Sequence, residues 1–158
     1  VLTSIEAPTL GHHQRAEYAK MAHPASGFAV VGAAVVVTVE GDVCTAARIA
    51  VGGLVPAPVR MVSVEDALVG KELNQENIAA AASHASNDLQ GEILGDFFAS
   101  AEYRKAMAAV EIRHALFHIT GEPHTGSRAE MLVSNRPTEP AVPREQLRRG
   151  WWQFWRRG

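Results

Sequence analysis

Phe28-Ala29-Val30-Val31-Gly32-Ala33-Ala34-Val35-Val36-Val37-Thr38-Val39-Glu40 runs into Gly41-Asp42, and Val43-Cys44-Thr45-Ala46-Ala47-Arg48-Ile49-Ala50-Val51-Gly52-Gly53-Leu54 follows. Two runs rich in β-branched residues around a Gly-Asp turn predict a β-hairpin, because such side chains fit a pleated surface and the turn pair tolerates a tight reversal. Gly32, Ala33 and Ala34 interrupt the first run with small side chains, which predicts close approach by another backbone or a helix. Before the hairpin, residues 1–5 are short, apolar and closed by Pro8, and they read as an edge strand. After it, Pro56 and Pro58 bend the chain ahead of residues 59–62, a candidate further strand. The first half is therefore an antiparallel sheet of three to four strands.

Beyond residue 62 the period changes. Ser63, three residues before Asp66, resembles a capping box, and Gly70 is placed to stop a short helix. Asn74 caps a second helix over residues 75–85. Ser100 caps a third that ends before Gly121, with Tyr103, Met107, Val110, His114 and Phe117 spaced to form one buried face. Strands first and helices afterwards define an α+β sandwich, with about three helices on one face of the sheet. Residues 1–120 form the domain. Residues 121–143, with four prolines, read as a flexible extension, and residues 144–158 as a basic, Trp-rich tail.

With 158 residues, 47% hydrophobic and 20% charged, the chain has the material for one well-filled core. A formal net charge of −2 supplies no general pull towards nucleic acid, and none is expected as a partner. Cys44 is the only cysteine, so an internal disulfide is excluded. The apolar run 28–39 is too short to span a bilayer as a helix. Glu6, His12, His13 and Arg15 interrupt any signal-peptide core. The location expected is cytoplasmic, with the inner face of the membrane as the alternative that the tail would bring.

Four segments in order carry a family likeness. They are Tyr18-Ala19-Lys20 with His23-Pro24-Ala25-Ser26-Gly27-Phe28-Ala29-Val30-Val31, then Cys44 to Gly53, then Glu65-Asp66-Ala67-Leu68-Val69-Gly70-Lys71, then Ser100-Ala101-Glu102-Tyr103-Arg104-Lys105 leading to Arg113-His114-Ala115-Leu116. In this register the sequence resembles the C-terminal domain of the FAD-binding medium subunit of aerobic carbon monoxide dehydrogenase and related xanthine dehydrogenase-type molybdenum hydroxylases. The resemblance implies an electron-transfer role. Substrate is oxidised on a molybdenum-cofactor large subunit, electrons cross an iron–sulfur small subunit, and FAD on the medium subunit passes them on. It also implies that Tyr18 and Lys20 are the positions nearest the flavin. The glycine-rich phosphate loop of such subunits has no counterpart here, since Gly52-Gly53 ends a strand. FAD is thus expected only where a separate FAD domain is present.

Other candidates carry less. The His23-Pro24-Ala25-Ser26-Gly27 loop suits ligand contact or domain docking, and equally a turn that only starts a strand. His114 and His118 are one helical turn apart, with His124 further on, but His114 falls on the apolar stripe and no metal site is expected. Ser26, Ser63 and Ser100 lack a nucleophile elbow, so no catalytic residue is assigned. In the tail, Trp151, Trp152, Phe154 and Trp155 with Arg156 and Arg157 suit a partner protein or an anionic membrane surface, or else fold back on the domain. Two readings follow. One is a component of a molybdenum hydroxylase, not catalytic alone, that forms part of a flavin site or a subunit contact. The other is a standalone interaction module anchored by its tail.

Overall fold

The computed structural model describes residues 1–121. Four strands, β1 Gln14–Ala22, β2 Ala29–Glu40, β3 Val43–Gly52 and β4 Val59–Arg60, form one antiparallel sheet in the order β1-β2-β3-β4. The predicted hairpin is β2–β3, turning at Gly41-Asp42 with a register shift between Thr38 and Val39. Alternation sorts the two faces. Val31, Ala33, Val35 and Val37 are all 1% exposed or less and point into the core, joined there by Ala47, Ile49 and Val51. The other face carries the alternate residues, among them Ala34, Val36, Arg48 and Ala50.

The strand expected over residues 1–5 is not formed. Residues 1–10 are irregular, and Val1, Leu2, Ile5 and Leu10 are exposed. The edge is β1, which pairs along its length with β2. Its composition hid it: Gln14, Arg15, Ala16, Glu17, Ala19 and Lys20 have little β-propensity, and only tertiary pairing makes them a strand. β4 is also shorter than residues 59–62, because Met61 is already the N-cap position of α1.

Four helices lie on one face: α1 Val62–Leu68, α2 Gln75–Ala82, the single turn α3 Ala85–Asp88, and α4 Ala101–Thr120. α4 packs on β1 and β2, α1 on β3, and α2 bridges α1 and α4. Asn74 Oδ1 accepts from the Asn77 N–H at 2.9 Å, so the predicted cap holds. That helix stops at Ala82, short of residue 85. Ser100 Oγ accepts from the Tyr103 N–H at 3.2 Å, and Gly121 ends α4 at φ 71. Ser63, however, does not cap α1. It sits inside the helix, and its N–H and hydroxyl both donate to the Asp88 carboxylate, at 2.8 and 3.0 Å, which staples α1 to α3. Glu65 is buried because it accepts the Ile49 N–H at 2.8 Å and both arms of the Arg60 guanidinium, which ties α1 to the end of the sheet.

On α4 the predicted stripe is too narrow. Met107, Val110, His114 and Phe117 are buried, but so are Ala108, Glu111, Ile112 and Ala115, while Tyr103 is 39% exposed. The helix is wedged between the sheet and α2–α3, so burial spreads around it.

Candidate functional site

Tyr18 and Lys20 stand on the open face of the sheet, the one turned away from the helices. β1–β2 pairing places Tyr18 opposite Ala34 and Lys20 opposite Gly32, and β2–β3 pairing continues these rows to Ala50 and Gly52. The floor is therefore made of glycine and alanine. The Tyr18 phenol leans across Gly32: a Cβ built on that glycine would come within 2.3 Å of the hydroxyl oxygen. The close approach that the small residues predicted is real, but an aromatic ring fills it. With one side turned to the sheet, Tyr18 is still 54% exposed, so it offers its other side to solvent. Lys20 Nζ donates to the Gly27 carbonyl at 3.1 Å, which holds the ammonium at the rim. Arg48 projects from the same face, opposite Val36.

The His23–Gly27 loop closes the β1–β2 end of this face. Gly27 N–H donates to the His23 carbonyl and His23 N–H to the Phe28 carbonyl, each at 2.8 Å. The His23 ring lies 4.5 Å from that of Phe98, centroid to centroid. Phe98 belongs to a loop organised by Asp96, whose Oδ1 accepts the N–H groups of Phe98 and Ala99 at 2.9 and 2.8 Å. The other carboxylate oxygen pairs with Arg104 of α4. The Arg104 guanidinium, buried, also donates to the carbonyls of Ala99, Val30 and Gly53 at 3.2, 3.3 and 3.0 Å. These bonds hold the Asp96 carboxyl below the usual carboxylate range: the Ala99 N–H contributes most, with the Arg104 charge, the Phe98 N–H and His23 behind it.

Of the histidine pair, His114 is buried and His118 exposed. His114 and His118 lie with ring planes 2° apart and centroids 6.4 Å apart, and His114 Nδ1 is 3.7 Å from Glu111 Oε2. Among the described residues no three His, Cys, Asp or Glu side chains converge as a metal site. Cys44 is fully buried, and burial pushes its thiol up, against the smaller opposing effect of a backbone hydrogen bond at Ala46. A polar cleft of about 320 Å³ opens at the far end of the sheet, lined by Arg15, Asp42, Glu72, Asn74 and Thr120. No helix among the described residues is long and apolar enough to cross a membrane. His124, most of the extension 121–143, and the tail residues Trp151, Trp152, Phe154, Trp155, Arg156 and Arg157 lie outside the described residues.

Sequence reasoning missed Arg104 and Asp96, which have no local signature, and the exposed pair Phe97 and Phe98. Two adjacent phenylalanines between Gly95-Asp96 and a capping Ser100 were the available signal for a surface role.

Among the described residues, a four-stranded antiparallel sheet with its helices on one face, and glycine and alanine with an aromatic and a lysine on the other, define an α+β sandwich domain. The CO dehydrogenase flavoprotein C-terminal domain model matches residues 16–119, and the chain belongs to that family. It is 28% identical over 122 residues to the carbon monoxide dehydrogenase medium chain of Hydrogenophaga pseudoflava, covering 73% of this chain and 40% of that one. It is 27% identical over 110 residues to the glyceraldehyde dehydrogenase medium chain of Sulfolobus acidocaldarius, covering 70% and 38%. The structure of carbon monoxide dehydrogenase from Hydrogenophaga pseudoflava, lacking the Mo-pyranopterin moiety of its cofactor, superposes with a TM-score of 0.65 at 28% identity, over 72% of this chain and 39% of that one. The chain thus spans about two-fifths of the length of the relatives it matches.

Proposed function

We propose that this domain forms one wall of the flavin site in a molybdenum hydroxylase and catalyses nothing alone. FAD, when bound, would accept electrons arriving through an iron–sulfur subunit and pass them on. The observation that carries the reading is the Tyr18–Lys20 pair on the open face of a domain of the flavoprotein family. The residues fit one side of a planar, anionic cofactor. A phenol lying along the sheet presents its π-face for stacking, and the ammonium of Lys20 favours negative charge on a reduced ring. The glycine of the floor leaves room for the phenol to lie against the backbone. They do not fit the pyrophosphate: among the described residues no glycine-rich turn opens a helix N-terminus, the arrangement that cradles phosphates. That part of the cofactor belongs to another portion of the flavoprotein subunit, with the molybdenum-bearing and iron–sulfur subunits as further partners.

The two relatives act, by their names, on carbon monoxide and on glyceraldehyde, so this domain is common to subunits of enzymes with unlike substrates. A wall for the flavin, remote from substrate choice, accounts for that. In the assembled complex, Tyr18→Ala and Lys20→Ala should each change the visible flavin spectrum while the melting temperature of the domain stays within a few degrees of the parent. Unchanged spectra and unchanged reduction rates in both variants would remove these residues from the site.

A further inference from the structure

We propose that the free edge of β1 pairs with the same edge of a second copy of this chain, joining the two sheets across a twofold axis at Ala16. The inference is independent of the flavin-wall reading. β1 is the edge of the sheet, and among the described residues no strand pairs with its other side. The bond from the Val39 N–H to the His13 carbonyl, at 2.9 Å, sets the ladder, so that Arg15, Glu17 and Ala19 turn their backbone groups towards β2. Gln14, Ala16 and Tyr18 therefore turn theirs outward. Two local bonds agree: the Gln14 N–H donates to the Gly11 carbonyl at 3.0 Å, and the Tyr18 N–H to Glu17 Oε1 at 3.2 Å. Pairing with β2 runs without a bulge from Gln14 to Met21, and the strand holds no proline. A long, regular edge of this kind is a template for another strand.

Charge selects the occupant. Arg15 and Glu17 lie on the same side of the strand as buried Ala19, the side that the helices cover. Read in reverse, this pattern is its own complement about Ala16. An antiparallel twofold there sets Arg15 opposite Glu17 of the second copy, and Glu17 opposite Arg15 of the second copy. Both pairs fall at non-hydrogen-bonded positions, where facing side chains stand closest. Ala16 meets Ala16 of the second copy through reciprocal backbone bonds, and Tyr18 faces Gln14 of the second copy. A twofold at Arg15 or at Glu17 would oppose like charges, and one at Tyr18 would set Glu17 against alanine. Opposite charges facing each other across two strands stabilise the pair, and like charges destabilise it.

The side chains are placed for this exchange. Arg15 is exposed, and one guanidinium N–H donates to the Ile119 carbonyl at 3.1 Å, which holds the group at the edge with donors to spare for a carboxylate. Glu17, in turning to Arg15 of the second copy, releases the Tyr18 N–H to the Gln14 carbonyl facing it.

Sedimentation of the full chain over a range of concentrations tests the pairing. The parent should show a monomer–dimer equilibrium. Arg15→Glu sets carboxylates against each other on both sides of the axis, and Glu17→Arg sets guanidinium groups against each other, so each should weaken the dimer about tenfold or more. Mixed in equal amounts, the two variants should recover the parental affinity, because each presents the charge that the other lacks. Chains that had failed to fold would not recover it. A parent that stays monomeric overturns the proposal, and so do variants that dimerise like the parent or a mixture no tighter than its components. Loss of the dimer on removal of residues 1–10, with Arg15→Glu and Glu17→Arg without effect, also overturns it, by giving the edge to that segment instead.

Discussion

At the scale of single residues, Gly32 and Tyr18 are one feature. β2 is otherwise mostly valine and alanine, and a glycine in its interior costs about 0.5–1 kcal/mol relative to alanine. What the glycine provides is room for the phenol, whose oxygen would stand 2.3 Å from an added Cβ. Gly32→Ala therefore moves Tyr18 without deleting it. Because the clash is with the tip of a rotatable side chain, the ring swings off the sheet and the strand keeps its register. The expected result is a stability within about 1 kcal/mol of the parent, with loss of the NMR contacts between the Tyr18 ring and residue 32. If those contacts persist, the ring is held by something other than space over the glycine. Tyr18→Phe, which shortens the side chain by its hydroxyl, should keep the ring flat and serves as the control.

At the scale of elements, the loop between α3 and α4 makes a pH-dependent unit. The Asp96 carboxyl is held below the usual carboxylate range by the Ala99 N–H first, then by Arg104 and the Phe98 N–H, with His23 also facing it. A depressed folded value means that the carboxylate supports the loop fully above the unfolded value, and that this support is lost as pH falls through the lower, folded one. The loop should thus keep its shape from neutral pH down through the ordinary aspartate range and open only below it. Amide shifts of Phe98 and Ala99, followed by NMR, should titrate with a midpoint below that of aspartate in an unfolded chain. A midpoint at or above that value would mean that the two N–H bonds do not hold in solution. Asp96→Asn should abolish the transition.

Elements also differ in how far the sequence disclosed them. The β2–β3 hairpin was legible because its valines, isoleucine and Gly-Asp turn act locally. The same holds for the caps at Asn74 and Ser100 and the stop at Gly121, each of which binds within one turn. β1 was not legible, since an edge strand of alanines and charged residues is made by its neighbour. Ser63 misled for a related reason: its partner, Asp88, is 25 residues away and outcompetes the local cap. Tyr18 and Lys20 became candidates only by resemblance. Their place together on one face follows from strand alternation once β1 is known to be a strand. The Asp96–Arg104 clasp was beyond reach, because nothing local marks an arginine that binds the carbonyls of two strands.

At the scale of the whole molecule, Arg104 is where the parts meet. From α4 it reaches the end of β2 at Val30, the end of β3 at Gly53, and the aromatic loop at Ala99 and Asp96. Removing it takes the donor from the Val30 and Gly53 carbonyls and the cation from Asp96, while the Ala99 carbonyl keeps the Asp96 N–H. Unmet buried acceptors cost about 1–3 kcal/mol each where no water can replace the donor. Asp96 is half exposed and water can reach it, so the loss of its ion pair adds little to this. Arg104→Met, which keeps the length and apolar stem, should therefore lower unfolding free energy by roughly 2 kcal/mol or more. It should also loosen Phe97 and Phe98 before the sheet, since the loop has fewer other attachments. Arg104→Lys retains the charge but lacks the planar fork that serves several acceptors at once, and should fall between the two. Urea unfolding gives the order directly, and proteolysis within residues 91–99 reports the loop. Equal stability of parent and methionine variant would mean that the sheet, the helix and the loop are held by apolar packing alone.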